Sequence, residues 1–309
     1  MDVQTKGIAL QSGGDSPLIL ASRNGHTETV KFLLSACANI DHQNQYGNSA
    51  LMVAASNSWQ NYETVKLLLN EGANVNLQDK DKDTALTIIS HCRDLHMMRL
   101  LIRAGANIDH QSDFGTALMN ASAKGHLEIV KLLIGEGASV NLQSTVTGRT
   151  ALMQALGHSD IVKDLLSSGA TEGINLQDSG GFSALMIASD KGLLEEMKLL
   201  LNAGANTELK NWQGKTALMM ASEEGLHDLV RLLLSAGASV DVQDNNGNTA
   251  LNLTCGSKVW TPGGIQGLVK TAKLLLDAGA NINLTNNFGK CAWDVATKTE
   301  IREALSKKD

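Results

Sequence analysis

The chain has 309 residues, a formal net charge of −6, 43% hydrophobic and 19% charged residues. With no basic stripe to neutralise a row of phosphates, nucleic acid is not expected as the main partner. No apolar run is long enough to insert in a membrane, no secretory signal opens the chain, and the four cysteines lack paired spacing. A reduced intracellular setting, cytoplasmic or nuclear, is therefore expected.

From the N-terminus, Leu10-Gln11-Ser12-Gly13-Gly14 reads as the tail of an earlier hairpin, which leaves an apolar repeat face open and suggests part of a longer array. One phrase then recurs about every 33 residues, anchored on Ser16, Ser49, Thr84, Thr116, Thr150, Ser183, Thr216, Thr249 and, degenerately, Cys291. A short Ala/Leu/Met/Ser segment follows each anchor, then a Gly-His or Gly-Leu turn such as Gly125-His126 or Gly192-Leu193. A second apolar segment follows, as in Ile129-Val130-Lys131-Leu132-Leu133-Ile134. Spacing near 3.6 predicts helices for both segments. The second ends where a left-handed residue is wanted, at Gly72, Gly105, Gly137, Gly169, Gly204, Gly237 and Gly279, with Cys37 in that place in the first copy. An extended Val-Asn-Leu-Gln-like stretch leads to a turn such as Asp244-Asn245-Asn246-Gly247-Asn248.

The repeats run about 14–46, 47–81, 82–113, 114–147, 148–180, 181–213, 214–246 and 247–288, with 289–309 as a cap ending in a solvated Lys307-Lys308. A unit this short cannot bury its own apolar face, so it stacks on its neighbours. Repeat two carries about two extra residues around Trp59-Gln60, and repeat eight about nine, Gly256 to Gly264 with Trp260 and Pro262. Inserts of this kind read as loops, mobile in repeat eight, that extend a binding face or drift in length.

Over essentially residues 12–309 these residues closely resemble the ankyrin repeat family. The resemblance implies an all-α, right-handed, curved solenoid of stacked helix-turn-helix units with projecting β-hairpin loops, forming a single domain over 1–309. The family's Thr-Pro-Leu-His is mostly Thr-Ala-Leu-Met here, and only Ser16-Pro17-Leu18-Ile19 keeps the proline. Met52, Met119, Met153, Met186 and Met219 replace a histidine that hydrogen-bonds within its turn, and are expected to contribute apolar stacking instead.

No catalytic, cofactor or metal residues are assigned. Gly263 to Thr271 faintly suggests a phosphate loop, but Val269 stands where the motif needs glycine before Lys270-Thr271. His91-Cys92 with His96 falls in the turn region of its repeat, without a second ligand pair. His26, His126 and His158 are turn residues, and His42 and His110 share one strand position. Gln43, Gln78, Gln111, Gln143, Gln177 and Gln243 form a ladder read as hairpin hydrogen bonding.

The sharpest signal is aromatic. Of ten aromatic residues, Tyr46, Phe114, Phe182, Trp212 and Phe288 lie in the turns between copies, whereas Phe32 and Trp293 fall on core helix positions. Exposed rings anchor interfaces, although they also stiffen a row of hairpins by stacking on one another. Inner-helix ends vary from copy to copy, as in Arg23-Asn24, His91-Cys92, Ala123-Lys124, Asp190-Lys191 and Glu223-Glu224. The last two, near Asp228, suit a basic or mixed-charge partner segment.

The expected role is therefore non-enzymatic: a monomeric protein-interaction module or scaffold. The alternative is a regulatory segment of a larger enzyme, receptor or channel, packing on its own chain. The resemblance also implies a third role, as a target of asparaginyl hydroxylation at Asn76, Asn141 and Asn283, each eight residues after a leucine.

Overall fold

The computed structural model describes residues 14–306; the N-terminal hairpin tail read at 10–13 and the terminal Lys307-Lys308 lie outside the described residues. The chain divides into two compact units, Met1–Thr147 and Gly148–Asp309.

Among the described residues the first unit holds four helix pairs: α1 Pro17–Arg23 with α2 Thr27–Ser35, α3 Ala50–Ser56 with α4 Ser58–Asn70, α5 Ala85–Ile89 with α6 Leu95–Arg103, and α7 Ala117–Ala123 with α8 Leu127–Gly135. The second holds five: α9 Ala151–Gln154 with α10 Ser159–Leu165, α11 Ala184–Asp190 with α12 Leu194–Asn202, α13 Ala217–Glu223 with α14 His227–Ser235, α15 Ala250–Gly256 with α16 Pro262–Asp277, and α17 Ala292–Val295 with α18 Thr299–Ser306. Within each unit the odd-numbered inner helices pack in one row and the even-numbered outer helices in another.

Every anchor from Ser16 to Thr249 is a helix N-cap. Its side-chain oxygen accepts from the backbone N–H three residues on, at 3.2–3.4 Å, satisfying a donor the helix leaves open. Met52, Met119, Met153, Met186 and Met219 are almost wholly buried, as stacking requires. At two of them the expectation is corrected in part: the Met52 and Met119 thioethers accept from Ser49 N and Thr116 N at 3.4 and 3.5 Å. A sulfur is a weak acceptor but fills the histidine's place in the turn.

Outer helices end as expected. Cys37 has φ 63 and is exposed, while Gly72, Gly105, Gly204 and Gly279 take φ between 86 and 88 at the equivalent place.

The expected strands do not form. Among the described residues only two isolated β-bridges occur, Ser112 with Gly115 and Gln177 with Ser183. Side chains hold the hairpins instead. Asn44 Oδ1 accepts from Tyr46 N and Asn48 N, both at 2.9 Å, and Asp79, Asp178, Asn211, Asp244 and Asn286 do the same in their own tips. These bonds replace a ladder that so short a loop cannot close.

Both inserts depart from the loop reading. The repeat-two insert adds an N-terminal turn to α4, and α16 begins at Pro262, so only 257–261 lies between helices in repeat eight. Gly263 to Thr271 is helical throughout, capped by Thr261, and makes no phosphate loop. The Lys298 side chain, almost wholly buried, donates to Ser257 O and lies 4.5 Å from the centre of the Trp260 ring.

Two core assignments are overturned. Phe32 is 69% exposed and Trp293 44% exposed. At the position of Phe32 the other repeats carry a leucine that is buried only at Leu132 and half-buried elsewhere, and the equivalent of Trp293, Leu251, is buried; among the described residues no pair precedes α1–α2 or follows α17–α18.

Candidate protein-interaction surface

In the first unit two hairpin tips carry exposed rings. Asn44 pins its tip and leaves Tyr46 57% exposed; Ser112 accepts from Phe114 N at 3.2 Å and leaves that ring 59% exposed. Neighbouring tips are joined by backbone bonds, Lys80 N to Tyr46 O at 3.1 Å and Asp113 N to Asp81 O at 3.0 Å. Val146 stands at a third tip and is 57% exposed; reasoning from aromatic residues alone overlooked it, although its place two residues after the pinning Ser144 marks it.

In the second unit Trp212 and Phe288 are each 76% exposed. Trp212 N donates to Gly180 O at 3.3 Å, and Asn287 N to Asn246 O at 2.9 Å, so both rings stand on tied backbones. An open depression of about 360 Å³ lies beside Trp212, lined also by Gln213, Lys215, Asp244, Asn245 and Asn246. Phe182 belongs to a different register. It directly precedes the N-cap Ser183, is only half-exposed, and its ring lies against Gly180, where a Cβ would come within 2.9 Å of it. It rests on its own tip and is less exposed than Trp212, whose ring in turn lies against Gly181.

Asp190 and Lys191 close α11 and are exposed neighbours of opposite charge. Glu223 ends α13 half-buried in an ion pair with Lys215, while Glu224 is exposed. Asp228 lies within 3.8 Å of Arg231 on α14. The acidic inner-helix ends are thus partly neutralised by their own chain.

The glutamine ladder bridges hairpins. Gln43 donates to Gln78 O at 2.7 Å, Gln177 to Lys210 O at 2.8 Å and Gln243 to Thr285 O at 3.0 Å. A second ladder runs through the hydroxylation candidates. Asn76 Oδ1 accepts from Asn107 N at 2.8 Å and its amide donates to Gly105 O at 3.1 Å; Asp41, Asp109, Asn175, Glu208 and Asp241 accept likewise from the following repeat. Asn141 is half-buried and hydrogen-bonded, and exposed Asn283 donates through its backbone to Asn281 Oδ1.

Among the described residues no group of three or more His, Cys, Asp or Glu is arranged to hold a metal ion, and no helix is long and apolar enough to cross a membrane. Cys255 is buried in α15, and desolvation, then the nearby Cys291, pushes its thiol up to about 12, far from a reactive thiolate.

Capped helix pairs, left-handed outer-helix ends and pinned tips define a helical repeat protein of the kind that displays loops from a stacked core. The chain belongs to the ankyrin-repeat family: the sequence profile for ankyrin repeats, three copies long, matches residues 2–79, 58–144, 86–178, 157–244 and 185–286. It is 32% identical over 118 residues to the ankyrin repeat and KH domain-containing protein mask-1 of Caenorhabditis elegans, and 36% identical over 106 residues to the human ankyrin repeat and KH domain-containing protein 1. These stretches cover 38% and 34% of this chain, and the chain spans only 4% of each relative's length. The ankyrin repeat domain of Bcl-3, a member of the IkappaB protein family, superposes with a TM-score of 0.61 at 28% identity, covering 71% of this chain and all of that one. Ankyrin repeats as a class are protein-interaction modules without catalytic machinery of their own.

Proposed function

We propose that this chain is a non-catalytic interaction module that engages another protein through its hairpin tips and inner-helix face. The carrying observation is that Trp212 and Phe288 stand 76% exposed on backbone tied to neighbouring tips. Rings held in place add contact area with little ordering cost on binding, and exposed aromatic residues are favoured interface anchors. Tyr46, Phe114 and Val146 extend the display in the first unit, and Asp190, Lys191 and Glu224 offer charge at inner-helix ends. The half-exposed Phe182 supports its own tip.

Relatives in which a matching block occupies 4% of a far longer protein favour a second reading, in which the bound surface belongs to the same chain as the repeats. The Trp212→Ala/Phe288→Ala variant tests the main reading. Partner capture from cell extract should fall at least ten-fold, with the thermal midpoint within about 2 °C of the parent because neither ring is packed in the core. A large loss of stability with unchanged capture contradicts it and assigns the rings to stiffening.

A further inference from the structure

We propose that Asp83, on the inner-helix face of the first unit, is a docking point for a basic side chain of a partner protein. This rests on the interaction reading above and names the chemistry the partner brings.

One position differs in its partners from repeat to repeat. Asp83 directly precedes its N-cap, as Asp15, Arg149, Lys215 and Asn248 do in other copies. A side chain here has two internal partners within reach: the residue that pins the next hairpin tip, and the residue eight positions on, at the end of its own inner helix. Asp15 uses both. It accepts from Asn44 Nδ2 at 2.6 Å and pairs with Arg23 at 2.7 Å. Arg149 pairs with the tip residue Asp178 at 3.2 Å, Lys215 pairs with Glu223, and Asn248 accepts from the tip residue Asn286 at 2.9 Å.

Asp83 has neither. Its tip counterpart is Ser112, whose hydroxyl already donates to Gly115 O at 3.1 Å. Eight residues on stands His91, which forms no ion pair with it. Burial pushes the His91 imidazole below the ordinary histidine value; nearby Asp83 opposes that shift, and Lys124 and His126 add to it. That direction favours the uncharged imidazole, and no ion pair joins His91 to Asp83. Asp83 is left nine-tenths buried, with Oδ1 unpartnered. A carboxylate withdrawn from water without a counter-charge is costly to the native state, and a partner's cation removes that cost. Oδ1 alone of the two carboxylate oxygens is a buried, unpartnered atom, and the carboxylate turns about its last torsion, so an incoming guanidinium or ammonium reaches it from the Oδ2 side.

A second orphan lies on the neighbouring inner helix. Asn120, on α7, is 5% exposed and its Nδ2 has no acceptor. Lys124, one helical turn further on, is exposed and close enough to His91 to act on its charge. An unfilled acceptor just before α5 and an unfilled donor on the adjacent α7 suit a segment that brings a basic side chain to Asp83 and a backbone carbonyl to Asn120.

The test uses the full chain and two peptides, acetyl-Gly-Ala-Arg-Ala-Gly-amide and its counterpart with uncharged citrulline for arginine, followed by amide chemical shifts. Shifts at Thr84, Asn120 and Lys124 should respond to the arginine peptide at concentrations at least ten-fold lower than to the citrulline peptide. Asp83→Asn should reduce the arginine response to the citrulline level without lowering the thermal midpoint, because no internal bond is lost. Asp81→Asn, at the exposed tip, should leave the response unchanged. Equal response to both peptides, a response that survives Asp83→Asn, an equal loss with Asp81→Asn, or a drop in thermal midpoint with Asp83→Asn each overturns the proposal. If Asp83→Asn fails to fold, the two peptides on the parent chain still decide. Partner capture that is lost with Trp212→Ala/Phe288→Ala but untouched by Asp83→Asn sinks this site and leaves the interaction reading standing.

Discussion

Cys37 shows how a single residue departs from its repeat. At φ 63 it sits where its equivalents are glycine, and the left-handed region costs an L-residue with a Cβ roughly 1–2 kcal/mol. At the equivalent Gly72, Gly105 and Gly279 an added Cβ would meet nothing within 4 Å, so the penalty is backbone strain rather than collision. Cys37→Gly should raise the unfolding free energy by about 1 kcal/mol, somewhat less than the strain relieved because glycine also frees the unfolded chain. Chemical denaturation measures it, and a decrease would show that the exposed side chain packs usefully. This site was readable from sequence because its seven counterparts are written out in register. Asp83 was not. Its lack of partners follows from the Ser112 hydroxyl being taken up by Gly115 O and from the absence of an ion pair with His91, neither of which the repeat pattern reveals.

Elements were legible where a local rule acts alone. A Ser or Thr before Ala-Leu caps an inner helix by short-range hydrogen bonding, and the sequence contains both partners. The repeat-eight insert was misread because glycines suggested freedom, whereas Pro262 at the first turn and the Thr261 cap make Gly263 and Gly264 helical. Lys298, 41 residues beyond Ser257, then fixes what remains of the loop. Cation–π contact and a hydrogen bond to a buried carbonyl are each worth about 1 kcal/mol. Lys298→Met should therefore lower the unfolding free energy by about 1–3 kcal/mol and speed proteolytic cleavage between 256 and 261. Unchanged cleavage would mean that the loop holds itself. Phe32 and Trp293 were misjudged for a related reason. Helical periodicity shows which face is apolar, but burial needs a neighbour to cover it.

At the scale of the whole chain, the repeat period identified the family and the class of function, because stacked helix pairs leave their loops as the variable surface. It did not distinguish projecting rings from supporting ones. Trp212 and Phe182 are both turn aromatics in the sequence, yet one stands 76% exposed and the other lies half-exposed against Gly180. Register within the tip, set by the pinning Asn211 or Asp178, makes the difference. The central claim is that partners are met at the tips and not on the outer helices. Site-specific photocrosslinking tests it most directly, with a photoreactive residue placed in turn at Tyr46, Trp212 and Phe288, and at the exposed outer-helix positions Lys131 and Arg231. The account predicts covalent partner adducts from the three tip positions and none from the outer helices. Adducts from Lys131 and Arg231 with none from the tips would contradict it.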